Sequence, residues 1–197
     1  MNNDITTTET FLERLRTKTS VAHTNLEKLP VSESIMDPEV TASQYLSYLN
    51  LMHDVVKQAE EEIFPALTPF VPDIAQRNKA SLIESDFSAL GYAKMQNQKP
   101  FQNIEAMSPA FRIGILYVIE GSSLGGRVIL KNINSALGLT EDNGATYFAG
   151  YGNQTGSRWK SFLNALTAYE EKHNNENEII AGAEYAFNTI NRHFTQN

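Results

Sequence analysis

The segment FLERLRTKTSVAHTNLEKL (11–29) places a histidine beside a cation and a carboxylate. Its apolar residues recur at helical spacing and form one arc of a helical wheel. Arg16, His23 and Glu27 fall on one strip at the edge of that arc, because seven and eleven residues are close to whole numbers of turns. The sequence therefore predicts an imidazole that borders the buried face, with charges of both signs along its strip.

Spacing alone leaves two interpretations of His23 open. In the first, His23 is a boundary histidine that bonds to the backbone or to a neighbouring side chain. In the second, it is the ligand of a metal ion or of haem iron, and Glu27 polarises the imidazole as carboxylates behind metal-bound histidines do. Arg16 would then meet an anionic group at the edge of the ligand, and haem offers two propionates.

A second unusual segment, EGSSLGGRV (120–128), interrupts an otherwise helical pattern with Gly121, Gly125 and Gly126. Each glycine inside a helix costs about 1 kcal/mol relative to alanine. Three uses are open: close packing of two helices, anion binding at a broken helix start, and a kink that exposes backbone to a flat ligand. No phosphate-loop lysine follows the segment. Taken with His23, the kink explains more of the chain than the alternatives.

The elements that must position these residues are helices. Helical periodicity covers residues 9–28, 41–64, 73–91, 108–137, 159–173 and 178–194, approximately. Pro65 ends the second helix, and Ser108 followed by Pro109 starts the fourth, which continues through the glycines. Residues 94–103 and the polar, glycine-rich stretch 138–156 read as loops, and no segment shows convincing strand alternation. The predicted fold class is all-α.

Composition narrows the class of protein further. The chain has 197 residues and is predicted to form a single domain over 1–197, with residues 1–8 as a disordered tail. A net charge of −7 argues against a nucleic-acid partner. The absence of cysteine excludes disulfides, thiolate catalysis and iron–sulfur clusters. The sequence has neither a signal-peptide pattern nor a run of 18 apolar residues, so we expect no membrane segment and a cytoplasmic location.

Two segments of the chain resemble a known protein family. The segments LRTKTSVAHTNLE (15–27) and LYVIEGSSLGGRV (116–128) resemble the haem oxygenase family, especially its bacterial, biliverdin-producing branch. Residues 86–91, 147–166 and 183–194 also resemble the corresponding parts of the family. The resemblance thus extends from about residue 10 to 194, and it implies a single-domain helical bundle with haem between two helices, one of them a kinked, glycine-rich distal helix.

The resemblance implies a role for each site residue. On the proximal side His23 is the iron ligand, Glu27 is its partner, and Arg16 faces a haem propionate. Tyr117, four residues before Gly121, also faces the propionates. On the distal side Gly121, Gly125 and Gly126 lie over the iron.

Two positions of the glycine-rich segment carry further expectations. Ser122 stands where mammalian members of the family carry an aspartate that organises water near bound oxygen. A hydroxyl can donate and accept hydrogen bonds, but it brings no charge. Arg127 faces either a propionate or solvent, and we include it among the haem-binding candidates.

The resemblance also implies the reaction and its partners. Haem is both cofactor and substrate, O2 is the oxidant, and the products are biliverdin, carbon monoxide and ferrous iron. Because the chain has no nucleotide-binding fingerprint, we expect an external reductase or a ferredoxin-type electron donor. Ser122 keeps an alternative open, namely a haem-binding carrier or sensor in which catalysis is lost. A helical relative that binds no haem is a weaker alternative.

Other chemistry-bearing residues favour structural roles. His53 lies among apolar residues of the second helix and is predicted to be structural or on the surface. Glu170 and His173 have the spacing found in carboxylate-bridged di-iron sites, but the chain has no second such pair. Trp159 is predicted to anchor the core.

Overall fold

The computed structural model describes residues 9–196, and this part of the chain is all-α, as predicted. Its helices are α1 (Phe11–Glu27), α2 (Pro30–Ser34), α3 (Ala42–Gln58), α4 (Phe64–Leu67), α5 (Ala80–Ala89), α6 (Pro109–Gly121), α7 (Gly126–Leu137), α8 (Thr146–Ala149), α9 (Thr155–His173) and α10 (Glu176–Gln196). No β-strand occurs in the described range, where isolated bridges join only Thr140 to Asn143 and Gly144. The tail predicted for residues 1–8 lies outside the described residues.

All six predicted helices are present, but Pro65 does not end the second one. A π-helical turn, Ala59–Ile63, follows α3 and leads directly into α4, where Pro65 lies in the first turn and its missing N–H is tolerated. The other differences lie at the helix ends. The third begins as a 3₁₀ turn at Ile74–Arg77 and becomes α-helical only in α5. The short helices α2 and α8 were not predicted, because four or five residues are too few to show a periodic apolar pattern.

Side-chain caps define where the site-bearing helices begin. Thr10 and Glu13 form a capping box at the start of α1, in which the Thr10 N–H donates to Glu13 Oε2 at 2.7 Å. Ser108 caps α6 by accepting from the Phe111 N–H at 3.1 Å, and Pro109 occupies the first helical position. A cap of this kind contributes about 1 kcal/mol. The sequence thus fixes locally the start of both helices that carry the site.

Helix α10 is the element on which the others assemble. It packs along α6 and along α1, and these are the two most extensive helix contacts of the fold. The contact with α6 is backbone to backbone: a Cβ at Gly114 would overlap the carbonyl oxygen of Ile179, and a Cβ at Gly182 would overlap that of Phe111. These two glycines therefore set the separation between α6 and α10.

One stretch, Pro109–Leu137, is long and apolar enough to span a membrane by length and composition. It comprises α6, α7 and the turn between them. Ile113, Ile115 and Leu116 are fully buried against the rest of the bundle. Burial in the core thus accounts for the apolar character of α6.

Replacing Gly182 with alanine tests the close contact. We expect Gly182→Ala to lower the free energy of unfolding by about 3 kcal/mol, because the new methyl group overlaps backbone that cannot move independently. Gly156→Ala is the matched control. Gly156 lies in α9 with open space around it, so alanine should gain up to about 1 kcal/mol there. Urea unfolding of both variants measures the difference, and equal stabilities would contradict the prediction.

Candidate functional site

His23 lies on α1 at the boundary between core and solvent. Its side chain is 55% exposed, and its ring meets Phe187 of α10 edge to face at a centroid distance of 5.5 Å. Nδ1 lies 3.4 Å from Glu27 Oε2, which is the pairing predicted from their spacing. No described residue bonds to Nε2. One ring nitrogen is therefore oriented by a carboxylate while the other is free to bind a ligand.

Tyr117 links α6 to this part of α1. Its side chain is half-buried, forms a hydrogen bond with Thr19, and is close enough to Arg16 to feel its charge. Burial raises the pKa of the Tyr117 phenol, and the positive charge of Arg16 and the Thr19 hydrogen bond partly offset that effect. The structure therefore brings together two of the residues expected to bind propionates.

The turn between α6 and α7 carries an uncovered, apolar face. Ser122–Gly125 forms a 3₁₀ turn, and Gly121, Ser122, Gly125 and Gly126 keep right-handed helical backbone angles, so the helical path continues through the glycines, as predicted. Gly121, Leu124, Gly125 and Val128 follow helical spacing along it, and Leu124 and Val128 are 49% and 59% exposed. A Cβ at Gly125 would meet nothing within 4 Å, and at Gly121 it would meet only Trp159, at 3.6 Å. Packing within the protein therefore does not require glycine at either position.

Gly126 differs from its neighbour. It is buried, and a Cβ there would lie 2.6 Å from the carbonyl oxygen of Phe148 in α8. The open face and Gly126 thus lie on different sides of the helix. Gly126 was expected on the distal side with Gly121 and Gly125, but the structure packs it against α8 instead.

Ser122 and Arg127 both have partners within the protein. The Ser122 hydroxyl donates to the Ile119 carbonyl at 2.7 Å, which satisfies an acceptor at the end of α6. Arg127 is exposed, and its guanidinium donates to the side-chain oxygen of Asn153. The described contacts of Arg127 connect α7 to the loop before α9.

The histidines assigned to structural roles have structural partners. His53 is buried, with Nε2 at 3.1 Å from Glu84 Oε1. His173 stacks on Tyr169 at the end of α9 with a centroid distance of 4.5 Å. Across residues 9–196 no three His, Cys, Asp or Glu side chains are grouped so that they could hold a metal ion.

A buried ion network lies behind the open face, and the sequence analysis missed it. Glu120 is 1% exposed, and its carboxylate receives Lys79 Nζ at 2.6 Å and an Arg77 guanidinium nitrogen. The Tyr151 hydroxyl lies 3.0 and 3.1 Å from the same two oxygens. The one available signal was a glutamate at the end of the apolar run FRIGILYVI, since a charge in such a run is buried only when paired.

Asp73 neutralises Arg77, the second cation of this network. It accepts two hydrogen bonds from Arg77, both at 2.9 Å, and one from Arg158 at 3.0 Å. Burial opposes ionisation of Asp73, but these hydrogen bonds and charges outweigh it and lower the pKa of the carboxyl below its usual value. Burial lowers the pKa of Lys79, against the pull of Glu120. Burial also raises the pKa of the Tyr151 phenol, with the Glu120 charge acting in the same direction.

The residues present fit a porphyrin with an iron ligand on one side. The exposed imidazole of His23 could supply a ligand to the iron, and Leu124 and Val128 offer exposed apolar surface. The open space beside Gly125 is a cradle that any side chain would fill. The fold is thus an all-α bundle with an exposed histidine on α1 and a glycine-rich, partly uncovered turn between α6 and α7.

Comparison with known proteins identifies the family. The family model described as heme oxygenase matches residues 9–196. The heme oxygenase PigA of Pseudomonas aeruginosa is 29% identical over 181 residues, which cover 89% of this chain and 87% of that protein. A heme oxygenase of Xanthomonas campestris is 29% identical over 150 residues, or 75% of this chain and 87% of the relative.

Solved structures agree with this assignment. The heme oxygenase of Neisseria meningitidis, known in NO- and CO-bound forms, superposes with a TM-score of 0.77 at 27% identity and covers 95% of this chain and 94% of that one. The heme oxygenase of Leptospira interrogans gives a TM-score of 0.80 over 95% and 99% of the two chains, and at 20% identity it supports the fold alone. The chain belongs to the haem oxygenase family, and the predicted family, fold and enzyme class are confirmed.

The two neighbouring glycines can be separated by alanine substitution. We expect Gly126→Ala to lower the free energy of unfolding by about 2 kcal/mol, because its methyl group meets the Phe148 carbonyl. Gly125→Ala serves as the internal control and should leave stability unchanged or slightly higher. Thermal and urea unfolding measure both. A Gly125→Ala variant as unstable as Gly126→Ala would contradict the open face.

The lowered pKa of Asp73 predicts an acid-dependent contribution to stability. Because its folded-state pKa lies below the unfolded value of about 4, the carboxylate stabilises the fold fully above that value, and the contribution is lost as pH falls through the lower folded-state pKa. At pH 7 we expect Asp73→Asn to cost about 2 kcal/mol. The cost should shrink below about pH 4.

Exposed Asp142, which forms no ion pair among the described residues, is the control for this experiment. Asp142→Asn should unfold like the unsubstituted protein at every pH. Urea unfolding between pH 3 and 7 gives the comparison, and a pH-independent cost for Asp73→Asn would refute the prediction.

Proposed function

We propose that this chain cleaves haem oxidatively, with the porphyrin between α1 and the open face of the α6–α7 turn and His23 as the iron ligand. One observation carries the proposal: His23 combines a carboxylate-partnered Nδ1 with an Nε2 that no described residue bonds. Glu27 lies beside Nδ1, where a carboxylate can orient the imidazole of a histidine whose other nitrogen binds a metal. Family membership supports haem as the substrate.

Arg16 and Tyr117 are the groups that we assign to the propionates. The cation attracts the carboxylates, and the phenol donates a hydrogen bond to one of them. Their proximity in the structure supports this pairing. Arg127 bonds to Asn153 instead, so its contact with a propionate would require that hydrogen bond to break.

Gly121 and Gly125 provide room on the opposite side of the porphyrin. A side chain at Gly125 would occupy the space next to the iron where a small ligand must fit. Ser122 does not offer a free hydroxyl proton, since its hydroxyl already donates to the Ile119 carbonyl. Backbone groups of the 3₁₀ turn and ordered water therefore remain as the hydrogen-bonding groups of this wall.

Haem itself supplies the iron that binds and activates O2, and the protein supplies orientation and exclusion of competing reactions. We expect biliverdin, carbon monoxide and ferrous iron as products. An external reductase or a ferredoxin-type protein in the cytoplasm would supply the electrons. The carrier alternative loses its support, because each of the relatives named above is a haem oxygenase.

The direct test is an aerobic spectrum. Haem is added to the purified protein, a reductant follows in air, and absorption is recorded. Loss of the Soret band together with a growing long-wavelength bilin band supports the proposal, and chromatography identifies the product. A stable oxygenated haem would instead indicate a carrier, and the absence of a haem spectrum would indicate a relative that binds none.

His23→Ala tests the ligand. We expect at least a hundredfold loss of turnover, together with a changed ferric haem spectrum, because the axial imidazole is removed. His173→Ala is the control: it removes an imidazole that stacks on Tyr169 at the far end of α9 and should turn over haem normally. Turnover by His23→Ala at the unsubstituted rate would refute the assignment.

A further inference from the structure

The buried carboxylate of Glu120 receives donors from three separate parts of the chain. Arg77 ends the 3₁₀ turn Ile74–Arg77, Lys79 directly precedes α5, and Tyr151 follows α8. All three donate to the two oxygens of one carboxylate, with the Lys79 contact at 2.6 Å and the Tyr151 contacts at 3.0 and 3.1 Å. A carboxylate held from three directions cannot shift without breaking contacts to several elements.

The centre of the network is balanced in charge, with two carboxylates, Glu120 and Asp73, against Arg77 and Lys79. Asp73 neutralises Arg77 on the side away from Glu120, at 2.9 Å. Arg158 adds a further contact to Asp73 at 3.0 Å and lies over the Tyr151 ring at 5.8 Å. Buried charges with full sets of partners persist as a rigid unit, whereas the loss of one partner leaves another charge uncompensated.

This rigid unit is attached to the chain immediately before the segment that forms the open face. Glu120 directly precedes Gly121 and the turn Ser122–Gly125. In that turn the Ser123 hydroxyl donates to the Glu120 carbonyl at 2.6 Å, which ties the turn to the same residue. On its open side Gly125 has nothing within 4 Å. The turn is therefore fixed by contacts on its buried side, whereas Gly125 on its open side contacts nothing.

We propose that Glu120, with Lys79, Arg77 and Tyr151, positions the distal turn, and so sets how closely its backbone approaches a ligand bound to the iron. Gly126 against Phe148 is the second fixed point, at the other end of the turn. Between these points the glycines allow the backbone to deform. Glu120 is thus a positioning residue that touches neither haem nor oxygen. The inference rests on the proposed function for its effect on the ligand, but not for its effect on the turn.

The first experiment uses the protein without haem, so it does not depend on the proposed function. Amide hydrogen exchange by mass spectrometry follows peptides that cover residues 119–127. In Glu120→Gln we expect these amides to exchange at least about tenfold faster, beyond any change in the rest of α6 and α10. Tyr151→Phe removes one hydroxyl and leaves both cations, so it should fold and show a smaller change in the same peptides.

Asp54→Asn is the matched control. Asp54 is also a 1% exposed carboxylate, and it pairs with Lys94 at 2.9 Å and with His193 at 3.2 Å, in a cluster that joins α3 to α10. Its loss should affect α3 and α10 without selectively affecting the turn. If Glu120→Gln does not fold, the comparison of Tyr151→Phe with Asp54→Asn tests the proposal by itself. The proposal is overturned if amide exchange in peptides 119–127 rises no more in Glu120→Gln and Tyr151→Phe than it does in Asp54→Asn.

The second experiment examines the ligand. The CO stretching frequency of the reduced, haem-loaded protein reports the polarity and distance of the wall that faces the ligand. We expect it to shift in Tyr151→Phe and to stay at its unsubstituted value in Asp54→Asn. A purely stabilising role of the network would leave this frequency unchanged, and that result would overturn the positioning role. Failure to bind haem at all would refute the proposed function but leave the exchange test intact.

Discussion

The site depends on the contact between the backbones of α6 and α10. Glycine at positions 114 and 182 lets the two helices touch without intervening side chains. Helix α10 also supports α1 through Phe187, which lies under His23. The helix that carries the imidazole and the helix that leads into the glycine turn therefore share one support. A substitution that disturbs either contact of α10 would change the distance between α1 and α6.

The sequence predicted the features that follow from helical periodicity. The pairing of His23 with Glu27 depends only on a four-residue spacing, and the 3₁₀ turn Ser122–Gly125 agrees with the low helix propensity of glycine. The helical fold class followed in the same way from the apolar pattern. These predictions needed no knowledge of which helices touch.

The features that the sequence did not predict depend on tertiary contacts. Lys79 and Tyr151 lie 41 and 31 residues from Glu120, and nothing in their local patterns pairs them. The two neighbouring glycines are a sharper case, since Gly126 is required by Phe148 and Gly125 is not. In the sequence these two glycines look alike, whereas in the fold Gly125 faces open space and Gly126 is buried against Phe148.

Leu124 and Val128 are exposed apolar side chains, and under the proposed function a bound porphyrin would cover them. An uncovered strip of this kind attracts any other apolar surface, including that of a neighbouring chain. A ligand that covers it binds the folded form alone and shifts the folding equilibrium by mass action. Under the proposed function, the cellular lifetime of the protein would depend on haem supply, and scarcity of the substrate would favour removal of the chain by proteases.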